Sequence, residues 1–247
     1  MTEWDMDTMG WGRLEQGNYE EAEKEFRAVL EQDPLHVGAL TGLGVIHLGM
    51  GDTDQAQELL ETALSYAQKN LPRHKRHANM DVPDVRVYVR ALFYLSVLYA
   101  EEGQWERVID ALEDVKAWDS SGLDGDVSLL LAQAYHRSGR MEEAVDAYSI
   151  ASEVHSESLY SLGLVCYQVG NVREAERYWL RAVRHHPELA FLIARYPRLR
   201  ALPVASIEDR QFSTNAEYVE ATADLWSTQA REALDRLCLQ EAASGNG

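Results

Sequence analysis

Four carboxylates, Glu20, Glu21, Glu23 and Glu25, crowd into six positions of the stretch "GNYEEAEKEFRAVLEQDP", residues 17–34. Clustered carboxylates can ligate a metal or divide acid–base work between them. A di-metal site in a helical bundle takes inward glutamates together with Glu-x-x-His pairs, and no Glu-x-x-His occurs in this chain. Ala22, Phe26, Val29 and Leu30 form an apolar stripe through the same stretch, with the glutamates beside it and Lys24 among them. Acidic residues in a first turn also complement the helix dipole. The cluster therefore reads as the solvated side of a helix.

Other chemistry-bearing residues lead to the same place. The eight histidines are His36, His47, His74, His77, His136, His155, His185 and His186. They form no His-Glu-x-x-His and no Cys/His zinc spacing. The His185-His186 pair precedes Pro187 at an expected helix C-terminus, where cationic imidazole is favoured by the dipole. The run "GLGVIHLGMG" contains Gly-x-Gly, but a dinucleotide loop needs a preceding strand and a third glycine where His47 stands. Cys166 and Cys238 give neither a disulfide framework nor a CxxC pair. No Gly-x-Ser-x-Gly elbow is present. The expectation is a non-enzymatic chain with no catalytic residues, no metal and no cofactor. The rival class, a hydrolase or metalloprotein using the Glu and His residues, would be removed by metal analysis showing no stoichiometric metal.

The chain has 247 residues, 46% of them hydrophobic and 26% charged, a composition ordinary for a folded protein. Six Trp and twelve Tyr argue against disorder. A net charge of −18 and a pI near 4.8 repel phosphate backbones, so no nucleic-acid partner is expected. The opening "MTEWDMDTMG" has no basic or apolar region of a signal peptide, and no run reaches eighteen apolar residues. A cytoplasmic protein without a membrane partner is expected.

The elements that carry these residues are helical throughout, with apolar residues recurring at three- and four-residue spacing. One phrase repeats: glycine, a small or β-branched residue five positions on, then a large apolar residue four further. It occurs as Gly17/Ala22/Phe26, Gly51/Ala56/Leu60, Gly103/Val108/Leu112, Gly139/Ala144/Tyr148 and Gly170/Ala175/Trp179. The glycines are 34, 52, 36 and 31 residues apart. Upstream of each lies an apolar residue next to a small one: Met9-Gly10, Leu43-Gly44, Leu95-Ser96, Leu131-Ala132 and Leu162-Gly163. The small residue allows two helices to approach, and its apolar neighbour is expected in the core. Three residues further on stand Tyr99, Tyr135 and Cys166 in the later repeats, with Arg13 and His47 departing from the pattern. Pro34 and Pro187 stop two of the second helices.

Five such copies, one interval being 34 residues, resemble the tetratricopeptide repeat, a helix–turn–helix unit of that length. The expected fold is all-α: an α-solenoid of about five such repeats with C-terminal capping helices. Residues 3–70 hold repeats one and two, 71–88 a basic insertion loop with a helix start near Asp84, and 89–187 repeats three to five. Residues 188–247 form the capping region, ending in a frayed "EAASGNG". Residues 1–70 carry fourteen acidic and four basic residues. Against this, Arg73, Lys75 and Arg76 in the insertion and Arg195, Arg198 and Arg200 after repeat five form basic islands. These could meet an acidic partner, fold back on the acidic repeats or simply be solvated.

The resemblance implies a function in binding a protein or peptide segment in a concave groove lined by the first helices. Alignment on the glycines places Trp4, Asp7, Thr8 and Trp11 there, then Thr41, Gly42 and Val45, then Arg90, Phe93, Tyr94 and Val97. Repeat four offers Asp126, Leu129, Leu130, Gln133 and Arg137; repeat five offers Tyr160, Ser161 and Leu164. Family members that grip C-terminal carboxylates use Lys and Asn at the early positions, where this chain has Asp7, Thr8, Thr41, Gly42 and Val45. The expected ligand is therefore a segment bound through apolar and aromatic side chains. The alternative is a self-associating scaffold, a homo-oligomer whose groove is filled by its own C-terminal helices, for which "YVEATADLW" is apolar enough. Light scattering showing a concentration-independent monomer would remove self-association.

Overall fold

The computed structural model describes residues 3–71, 82–118, 124–199, 215 and 218–244. Contacts divide the chain into two compact units, Met1–Leu123 and Asp124–Gly247. Among the described residues there is no strand.

The N-terminal unit consists of three helical hairpins. These are α1 (Glu3–Glu15) with α2 (Tyr19–Gln32), α3 (Val37–Gly49) with α4 (Thr53–Asn70), and α5 (Pro83–Glu101) with α6 (Trp105–Trp118). The C-terminal unit pairs α7 (Asp124–Arg137) with α8 (Met141–Ala151), and α9 (Ser158–Gln168) with α10 (Val172–His185). It then pairs α11 (Pro187–Leu199) with α12 (Thr228–Ser244). Asn215 and residues 218–222 are helical, and a 3₁₀ turn, Ala223–Leu225, follows them before α12. Three helix starts are capped by local side chains: His36 Nδ1 accepts from Ala39 N at 3.2 Å, Asp52 from Gln55 N at 3.4 Å, and Ser227 Oγ from Ala230 N at 3.2 Å. The all-α class of successive helical hairpins expected from the sequence is the class observed.

All five repeat glycines turn the chain the same way. Gly17, Gly51, Gly103, Gly139 and Gly170 have φ between +71° and +85°, a region where a Cβ is costly. In every case the next residue's N–H returns to the carbonyl five positions back. The pairs are Asn18 to Arg13, Asp52 to His47, Gln104 to Tyr99, Arg140 to Tyr135 and Asn171 to Cys166, at 2.8–2.9 Å. This is the Schellman closure of a helix end. It explains why Arg13 and His47 can depart from the bulky pattern at that position: the repeat needs a carbonyl there, not a particular side chain.

Packing follows the repeating phrase. Ala22, Ala56, Val108, Ala144 and Ala175 are fully buried, and so are Phe26, Leu60, Leu112, Tyr148 and Trp179. Each large side chain contributes about 1.5–3 kcal/mol through the apolar area it removes from water. The small residues upstream meet these rings and branches. A Cβ on Gly10 or on Gly42 would overlap the Phe26 ring, one on Gly44 would press on Leu60, and one on Gly163 would press on Trp179. Two expectations need correcting. Met9 is exposed rather than in the core, because α1 packs chiefly against α2 and α3 and Met9 lies away from both. Gly42, expected to line a groove, faces Phe26 instead.

Candidate peptide-binding faces

In the N-terminal unit, α5 brings most of the expected lining residues to one place. Phe93 and Tyr94 are half-buried, their rings edge to face with centroids 5.6 Å apart. Tyr94 stacks on Trp11 of α1 at 6.1 Å, and the Arg90 guanidinium lies 4.4 Å over the same indole. Trp11 is itself 9% exposed and meets Phe26 edge to face at 5.6 Å. Rings from α1 and α5 thus meet beside α3, which contacts both of those helices. That helix, α3, carries only small or short side chains at this level. Thr41 is buried with its hydroxyl donated to Val37 O at 2.8 Å, and Val45 packs against the Trp11 cluster. Trp4 belongs to α1, but its side chain lies outside the described residues, as do those of Asp7 and Thr8.

The C-terminal unit presents α7 and α9 in the same roles. Leu129, Leu130 and Gln133 are half-buried on α7. On α9, Tyr160 and Leu164 are fully buried; the Tyr160 hydroxyl donates to His186 O at 2.7 Å, and Trp179 Nε1 donates to Tyr160 O at 3.1 Å. Burial raises the Tyr160 phenol well above its usual range. These two are core side chains, not an accessible lining.

Across this face runs the chain's own segment 218–226. Ser161 Oγ and the Tyr218 hydroxyl share a hydrogen bond at 2.6 Å. Arg137 donates to Ala221 O at 2.5 Å and pairs with Asp224 at 3.0 Å. Gln168 donates to Leu225 O at 3.0 Å, while its own Oε1 lies 2.7 Å from Nε2 of the buried His136. Burial holds the His136 pKa below the ordinary value. The Trp226 indole stacks on Trp179 at 5.8 Å. Behind the segment, buried Arg231 of α12 donates to Ile193 O, to Ala223 O at 2.8 Å and to Trp226 O at 3.3 Å. Sequence reading picked out "YVEATADLW" by its apolar content but had no signal for Arg231 or for the His136–Gln168 pair. Both act on main-chain carbonyls that no side-chain pattern marks.

The other candidates have local partners. Glu23 pairs with Arg27 at 2.7 Å, and Glu20 and Glu21 are exposed. His47 lies 3.1 Å from Asp52, His155 2.7 Å from Asp126, and His186 2.8 Å from Ser156. His74 and His77 lie outside the described residues. Among the described residues, no group of three or more His, Cys, Asp or Glu could hold a metal ion, and no helix is long and apolar enough to cross a membrane. Of the basic islands, Arg73, Lys75, Arg76 and Arg200 lie outside the described residues, as does the Arg198 side chain. Arg195 sits 4.1 Å over the Phe191 ring and 3.9 Å from Asp235, within the α11/α12 pair.

Three models of the tetratricopeptide repeat match the chain, at residues 13–76, 110–153 and 156–180, together more than half of it. Solved structures of MamA share the fold. One from AMB-1 has a TM-score of 0.56 at 20% identity, covering 74% of this chain and 97% of that one. Another has 0.54 at 19%, covering 83% and 98%. YrrB, described as a TPR protein with an unusual peptide-binding site, has 0.55 at 16%, covering 74% and 85%. A search of curated proteins finds no match.

Proposed function

The chain belongs to the tetratricopeptide repeat family, and we propose that it is a non-enzymatic protein-interaction module holding a partner segment against the first helices of its repeats. One observation carries this reading. In the C-terminal unit such a face already holds a polypeptide, the chain's own residues 218–226, through side-chain donors to its carbonyls and ring stacking at its end. A surface that satisfies one stretch of backbone in this way has the donors to satisfy another.

In the N-terminal unit the corresponding face offers Phe93 and Tyr94 half-exposed beside the Arg90–Trp11 stack. Aromatic side chains of this kind supply most of the binding energy when a partner buries them. No cation stands at Thr41, Gly42 or Val45 to receive a terminal carboxylate. The ligand class is thus an internal segment with apolar anchors. YrrB, a peptide-binding protein of the same fold, is compatible with this reading, although at 16% identity it speaks for the fold alone.

The test is co-purification with the full chain from its native host. Phe93→Ala and, separately, Arg90→Ala should lose a partner that the wild type retains, at unchanged helicity and melting temperature. If every partner stays with both variants, the N-terminal face is not the binding face.

A further inference from the structure

We propose that residues 218–225 are an internal pseudo-ligand, and that the α7/α9 face beneath them is a second peptide site that this chain keeps closed. The partner it fits is a short helical protein segment bearing a phenolic hydroxyl and, six residues later, a carboxylate. This rests on the reading that first-helix faces bind segments, but it concerns a different face and has its own test.

The contacts fall into two kinds. Arg137 to Ala221 O and Gln168 to Leu225 O take main-chain carbonyls at the C-terminal end of the helical stretch, where no further turn follows to satisfy them. Any fraying helical turn offers the same acceptors. The second kind selects side chains: Ser161 takes the Tyr218 hydroxyl, and Arg137 takes the Asp224 carboxylate. Val219 and Thr222 are buried between these two polar anchors.

Of the receiving side chains, Gln168 is organised from within the unit rather than by the segment. Gln168 is held by His136, so its amide N–H is aimed outward before anything arrives. The segment is the less self-sufficient partner. So short a helical stretch is not stable alone, and its carboxylate is largely solvated, with the Asp224 side chain 64% exposed. Its far end is anchored separately: Trp226 stacks on Trp179, and Arg231 ties the carbonyls of Trp226 and Ala223 to that of Ile193. Exchange of residues 218–225 with a competitor would give up the Arg231 bond to Ala223 O but leave those to Trp226 O and Ile193 O, with Trp226 on Trp179, to keep α12 docked.

The experiment uses the full chain with residues 218–225 replaced by a glycine–serine stretch of equal length, keeping Trp226 and Arg231. A fluorescent peptide of residues 215–227 is the probe. It should bind this variant at least tenfold tighter than the wild type, and Ser161→Ala with Gln168→Ala in the same background should remove that gain. Tyr218→Ala/Asp224→Ala is the milder variant, with hydrogen exchange of 218–225 showing release and anisotropy showing peptide capture. Equal binding to wild type and to the released variants overturns the proposal, as does a gain that survives loss of Ser161 and Gln168. Loss of helicity in both released variants also overturns it, since the segment would then be a structural part of the unit. None of these outcomes touches the Phe93 test of the N-terminal face.

Discussion

Glycine does two unrelated jobs in this chain, and they can be told apart at single positions. At the five turns it supplies a positive φ; at Gly10, Gly42, Gly44 and Gly163 it supplies the absence of a Cβ. Gly12 does neither, standing inside α1 with nothing within 4 Å of where its Cβ would be. Gly12→Ala should therefore stabilise the chain by about 0.5–1 kcal/mol through helix propensity and a less flexible unfolded state. Gly42→Ala gains the same propensity but drives a methyl into Phe26, for a net loss of about 1–3 kcal/mol. Denaturant midpoints of the two variants should move in opposite directions. The first job was legible in the sequence, since a turn glycine recurs in a fixed frame. The second was legible where the small residue sits in the repeated pair, but not at Gly42, where only the placement of the Phe26 ring reveals it.

Between elements, the informative contacts are those that pass from side chain to main chain. His136 on α7 positions Gln168 on α9, which holds the segment before α12. The charges of Arg137 and Asp224 act on this histidine in opposite directions, and the Tyr148 ring of α8 meets it edge to face at 6.0 Å. Burial lowers the folded-state pKa of His136, whereas the unfolded chain binds a proton near about 6.5. The stability it contributes is complete above that value and is lost as pH falls toward the depressed folded value. Thermal melts should thus show a falling midpoint on acidification, with His136→Gln showing a shallower slope than the wild type. An unchanged slope would mean that His136 is not buried neutral.

At the scale of the whole chain, charge sets which partners arrive quickly. A net −18 attracts basic segments and slows acidic ones. Two helical peptides with matched apolar faces and opposite charge should show a clear difference in association rate at about 0.05 M salt. That difference should largely vanish at about 0.5 M, where screening shortens the range of the field; stopped-flow fluorescence reads both. If the rates are equal at low salt, the binding face does not feel the charge of the rest of the chain.

The sequence by itself determined the class of fold and the interior of each repeat. A turn glycine, a small residue five positions later and a large apolar residue four beyond that satisfy local demands: a left-handed backbone, a close helix crossing and a filled core. Local demands recur in the residues themselves, so they can be read there. Tertiary structure decided which candidate lining residues are reachable. Trp11 is buried against Tyr94, which stays half-exposed, although they lie in repeats one and three; Tyr160 and Leu164 lie in the core, and Ser161 and Arg137 are taken by Tyr218 and Asp224. Those outcomes depend on pairs separated by tens of residues and on carbonyls that every residue carries, and neither leaves a mark in a one-dimensional pattern.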